Sequence, residues 1–122
     1  NEGSVWESAM AAAHYKLENL VAIIDKNGFQ LGGATEEIMN TGDMAAKWAS
    51  FGWDTVEVNG HDVGQLYDVF TAPNTSGKPR CVVANTAKGR GIPFAENNNA
   101  WHHTVLSNSQ YEEALASLES EV

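Results

Sequence analysis

Two short apolar runs constrain this chain more than any other feature. "LVAIID" at 20–25 and "CVVANT" at 81–86 are continuous rather than alternating. They are short for helices and have the character of strands buried on both faces. Between them, "WDTVEV" alternates and reads as a third strand that ends at Asn59-Gly60. The stretches around these strands have helical spacing. Ser4 to Leu17 is Ala-rich, with Val5, Ala9, Ala12, Ala13 and Leu17 on one side. Residues 43–51 put Met44, Trp48 and Phe51 on one face. Asp62 is placed to cap a helix whose stripe is Val63, Leu66, Tyr67 and Phe70. A last helix carries Tyr111, Ala114, Leu115 and Leu118, and "SQYE" at 109–112 has capping-box form. Residues 30–42 and 87–106 read as loops.

Strands alternating with helices predict an α/β fold, a parallel sheet of about three strands flanked by helices and joined by right-handed crossovers. The first helix has no strand before it. In such a sheet each helix connects two strands, so a leading strand is expected to be missing.

The 122 residues suit one domain with a real core. The net charge of -9 repels phosphate backbones, which argues against nucleic acid as a partner. No apolar run approaches the roughly 18 residues of a membrane span, so no membrane role is expected. Cys81 is the one cysteine; it opens an apolar run, reads as a buried small hydrophobe and fits a reducing, cytoplasmic setting.

Open α/β sheets bind ligands beyond the C-terminal ends of their strands. Here those ends are Lys26-Asn27-Gly28, Asn59-Gly60-His61, and Lys88-Gly89-Arg90-Gly91 followed by Trp101-His102-His103. Turn chemistry alone explains much of this composition. "KGRG" adds two glycines that permit close approach of a ligand and a lysine suited to phosphate oxygens, without the spacing of a P-loop. The four histidines and Cys81 lack the paired spacing of a zinc site.

These motifs carry a resemblance. "NEGSVWESAMAAAHYKLENLVAIIDKNGFQ", "AKWASFGW", "VNGHD", "NTAKGRGIPF" and "AWHH" occur in the order and spacing of the diphosphate-binding domain of transketolase. The chain resembles most the group that includes bacterial split-chain transketolases, at their N-terminal subunit. The family's Gly-Asp-Gly would fall just before Asn1, so residues 1–122 resemble the C-terminal part of that domain.

The resemblance implies thiamine diphosphate as cofactor, with Mg²⁺ (or Ca²⁺) bridging its diphosphate. It makes Asn27 a metal ligand through its side-chain oxygen and Phe29 a second through its carbonyl, both hard oxygen donors. Lys88 and His102 would approach the cofactor and the reacting sugar, His102 as a hydrogen-bond donor and proton carrier. Glu2 and Glu7 match acids between two cofactor sites at a dimer interface, where packed carboxylates share protons; alternatively, they are helix-start acids favoured by the helix dipole. His103 departs from the family, which often has Gly there.

The implied activity is transfer of a two-carbon ketol unit between sugar phosphates, the transketolase reaction (EC 2.2.1.1). The implied partners are the domain or subunit that binds the aminopyrimidine ring and a second copy in a homo-oligomer. Without them the chain is expected to be inactive. The alternatives are a 1-deoxyxylulose-5-phosphate synthase-like enzyme and a non-catalytic assembly module of the same fold.

Overall fold

The computed structural model describes residues 1–120. Its elements are α1 (Gly3–His14), β1 (Val21–Lys26), β2 (Phe29–Gln30), β3 (Gly33–Ala34), α2 (Thr35–Ile38), α3 (Met44–Ser50), β4 (Asp54–Asn59), α4 (Val63–Thr71), β5 (Arg80–Asn85), a 3₁₀ turn (Asn99–His102) and α5 (Asn108–Ser120). They fall into two compact units. The first joins Asn1–Lys26 to Met39–Thr86, and the second joins Asn27–Ile38 to the chain from Ala87 onward.

The first unit holds the expected parallel sheet, in the order β1-β5-β4. The central strand β5 explains the fold most directly. Cys81 and Val83 point into one layer, with Ala9 and Ala12 of α1, Trp48 of α3, and Trp53. Val82 and Ala84 point into the other, with Val56 and Val58 of β4 and Leu66 and Val69 of α4. This period-2 alternation buries both faces, so "CVVA" has no polar position. The small Ala9 and Ala12 let α1 lie close to the sheet, and Trp53 Nε1 donates to the Ala9 carbonyl at 2.9 Å. At the strand starts, Arg80 Nε donates to Asp54 Oδ2 at 2.9 Å. Its Nη1 reaches the Val69 and Ala72 carbonyls at 3.0 and 3.2 Å, tying α4 to the sheet.

Several expectations need correction. β1 is not buried on both faces: Ala22 and Ile24 pack inward, but Val21 is 45% and Ile23 60% exposed, and among the described residues it pairs only with β5. An apolar run does not show which of its faces is covered. On α4 the packed residues are Leu66 and Val69, while Val63, Tyr67 and Phe70 of the expected stripe face outward. This helix has two apolar stripes, and periodicity does not choose between them. α1 ends at His14, where Lys16 adopts a left-handed backbone (φ +52°) before β1. Its alanine face is covered by the chain's own core, leaving Val5 and Met10 exposed. On α3, Met44, Trp48 and Phe51 all join the core as expected.

The second unit contains the β2–β3 hairpin, α2, the 3₁₀ turn and α5, so both expected loops hold short ordered elements. Its buried apolar residues include Ala95 and Ala114, and the Phe94 and Trp101 rings lie 4.8 Å apart. The capping box of α5 is Ser107–Gln110, two residues before the expected one. Gln110 Oε1 accepts from Ser107 N at 2.9 Å, and Ser107 Oγ accepts from Gln110 N at 3.4 Å. "SNSQ" and "SQYE" both satisfy the pattern, and the first is realised.

Candidate functional site

Asn27, Phe29, Lys88 and His102 all lie in the second unit. Asn27 follows β1 directly. Its Oδ1 accepts from Phe29 N at 2.9 Å, closing an Asx turn. Gly28 takes the left-handed backbone that the turn requires (φ +79°). Thr35 N then bonds to the Gly28 carbonyl at 2.9 Å and closes the β2–β3 hairpin. The turn thus fixes a neutral amide oxygen and sets the course of the chain at the Phe29 carbonyl. An amide oxygen is a hard donor of the kind that Mg²⁺ and Ca²⁺ take.

The second pair is brought together from farther apart. Lys88 Nζ lies 3.3 Å from His102 Nδ1. Lys88 is placed by its backbone, whose carbonyl accepts from Asn97 N at 2.8 Å. The glycines of "KGRG" also serve the chain's own packing. A Cβ on Gly89 would lie 2.5 Å from the Ala95 carbonyl oxygen, and one on Gly91 would lie 3.0 Å from Leu118 Cδ2. Arg90 pairs with Glu96 at 3.4 Å. His102 sits in the 3₁₀ turn, where Asn98 Oδ1 accepts from Ala100 N at 3.1 Å. His103 packs edge-on against His102, with ring centroids 4.7 Å apart.

Sequence reading did not single out Asn98 or Asn99. Asn99 Nδ2 donates to the Leu31 carbonyl at 3.0 Å, linking the 3₁₀ turn to the hairpin. The run "ENNNA" shows no period that would separate these residues from ordinary loop asparagines.

The donor set fits a metal–diphosphate. Asn27 and Phe29 offer hard, neutral oxygens, while Lys88 and His102 offer N–H donors to anionic oxygens. Among the described residues, no group of three His, Cys, Asp or Glu side chains is arranged to hold a metal ion.

Glu2 and Glu7 lie in the first unit, both exposed. Glu2 occupies the N-cap position of α1 without a hydrogen bond from its side chain to the helix, and Glu7 lies beyond the first turn. Cys81 is fully buried, and burial pushes its thiol up to about 12. No helix among the described residues is long and apolar enough to cross a membrane.

A family model described as the thiamine diphosphate binding domain of transketolase matches residues 1–119. The chain is 44% identical over 115 residues to one subunit of the apulose-4-phosphate transketolase of Phocaeicola vulgatus, covering 93% of this chain and 41% of that protein. It is 36% identical over 122 residues to the 6-deoxy-6-sulfo-D-fructose transketolase subunit SqwG of a Clostridium species, covering 99% and 44%. It thus spans less than half the length of these relatives. A crystal structure of transketolase from Campylobacter jejuni matches with a TM-score of 0.88 at 23% identity, over 97% of this chain and 18% of that one, a likeness of fold.

Proposed function

Because this chain belongs to the transketolase family, as a thiamine-diphosphate-binding domain, we propose that it forms one wall of the cofactor site in an enzyme that moves a two-carbon ketol unit between sugar phosphates. The observation that carries this reading is the Lys88–His102 pair, 3.3 Å apart, in the same compact unit as the Asn27–Phe29 turn. Asn27 Oδ1 and the Phe29 carbonyl would ligate Mg²⁺ (or Ca²⁺), and Lys88 and His102 would donate to diphosphate oxygens. Bound there, thiamine diphosphate supplies the electron sink for carbon–carbon cleavage and formation. His102 would also donate to, and carry a proton for, the sugar hydroxyls.

The rest of the site comes from a partner domain or subunit that binds the aminopyrimidine ring. Two matched relatives are named as subunits, which supports this division. We propose that residues 1–122 are part of a larger diphosphate-binding domain. Among the described residues β1 pairs only with β5, which leaves its other edge open to a further strand. Exposed Glu2 and Glu7 would meet a second copy and form the shared proton network of a homo-oligomer. The buried, unpaired thiol of Cys81 supports a reducing compartment, and we place the enzyme in the cytoplasm.

The substrates would be phosphorylated ketoses and aldoses of the pentose phosphate type, with the transketolase reaction (EC 2.2.1.1) as the reference. The name of the Phocaeicola relative makes apulose 4-phosphate a donor to test beside them. The test is a coupled ketol-transfer assay on the chain together with its partner subunit. Turnover that requires both thiamine diphosphate and a divalent cation is expected. No transfer from any ketose phosphate, or transfer indifferent to the cofactor, would refute the reading.

A further inference from the structure

We propose that Asn99 is the positioning residue that sets the Lys88–His102 pair against the Asn27–Phe29 turn; this rests on the cofactor role just given to those four residues. Two pieces of local structure are each closed by hydrogen bonds of their own. One is the hairpin, held by Phe29 N on Asn27 Oδ1 and by Thr35 N on the Gly28 carbonyl, both at 2.9 Å. The other is the 3₁₀ turn. There Trp101 N bonds to the Asn98 carbonyl at 3.2 Å, and Thr104 Oγ1 bonds to the Ala100 carbonyl at 2.5 Å. Asn99 Nδ2 spans the gap between them, donating to the Leu31 carbonyl at 3.0 Å across 68 residues of sequence.

Leu31 lies between β2 and β3, at the tip of the hairpin that begins at Phe29. Asn99 opens the turn that ends at His102. The bond therefore joins the element carrying the oxygen donors to the element carrying the N–H donor. Its polarity is fixed by chemistry. The reversed amide would face one acceptor with another, so the NH₂ must point at Leu31. Among the described residues Asn99 Oδ1 is buried without a hydrogen-bond partner, so the amide is held by this donor side. A metal–diphosphate has to be met by both elements at once, and outer partners that aim first ligands typically govern metal affinity by about 10- to 100-fold.

Asn99→Asp keeps the shape and replaces the donor with an acceptor, and Asn99→Ala removes the donor without adding charge. In the enzyme assembled with its partner, both variants should raise the Mg²⁺ and thiamine diphosphate concentrations for half-maximal activity about tenfold. The kcat at saturating cofactor should stay within about twofold, a split that general loss of structure would not produce. In the full chain without cofactor, amide hydrogen exchange at Phe29 and Thr35 should quicken in both variants. Unchanged exchange would overturn the link itself, and faster exchange with unchanged cofactor dependence would overturn its positioning role. A wild-type enzyme indifferent to cofactor and metal would instead refute the underlying reading, with the exchange result still judging the link.

Discussion

Lys88 and His102 stand fourteen residues apart in sequence and 3.3 Å apart in space, Nζ to Nδ1. Where the Lys88 ammonium donates to Nδ1, the ring presents its N–H at Nε2. The pair then offers two kinds of N–H to one anionic ligand, and each residue aims the other. Lys88→Met and His102→Ala should each weaken cofactor binding, and their effects should not add. A double-mutant cycle on cofactor affinity in the assembled enzyme should give a coupling of about 1 kcal/mol. Strict additivity would show that the contact does not operate in the bound state.

Gly89 and Gly77 both have left-handed backbones, at φ +70° and +65°, but different surroundings. Among the described residues a Cβ on Gly77 would meet nothing within 4 Å, whereas one on Gly89 would collide with the Ala95 carbonyl. Gly77→Ala should therefore cost only the backbone penalty of about 1 kcal/mol. Gly89→Ala should cost about 2 kcal/mol or more, because the backbone must also move. Urea unfolding of the two variants checks this, and equal losses would contradict the packing role given to Gly89.

Asp62 caps α4, and the backbone N–H of Gln65 holds its carboxyl below the ordinary value of 3.8. A carboxylate with a lowered native pKa stabilises above its unfolded pKa and loses that contribution as pH falls through the native one. The stability of the wild type relative to Asp62→Asn should thus be greater near neutral pH than at pH about 2.5. Unfolding curves at the two pH values measure it; a pH-independent difference would rule it out.

The thiol of Cys81 is fully buried and pushed up to about 12, so it is neither accessible nor ionised at neutral pH. A disulfide reagent should leave the native protein unlabelled and modify one thiol after denaturation. Rapid native labelling would contradict the central position of β5.

The three sheet strands and the cap at Asp62 were legible because they depend on local signals, namely apolar runs, alternation and a capping side chain. The one-sided burial of β1 was not legible, since "LVAIID" does not encode which of its faces the rest of the chain covers. The outward turn of Val63, Tyr67 and Phe70 escaped for a related reason: α4 offers two apolar stripes and the sheet selects one. At the site, the roles expected of Asn27, Phe29, Lys88 and His102 came from the family resemblance, since Asn, Gly, Lys and His at strand ends are explained by turn chemistry alone. The Asn99–Leu31 bond was invisible because its partner is a backbone carbonyl, which leaves no mark on residue identity.

The most direct test is calorimetric titration of thiamine diphosphate with Mg²⁺ into the chain assembled with its partner subunit, comparing wild type with an Asn27→Ala, His102→Ala double variant. Saturable binding by the wild type, weakened at least about tenfold in the variant, is the predicted result. The chain alone should show no micromolar binding. Undiminished affinity in the variant would contradict the claim that these residues hold the metal and the diphosphate.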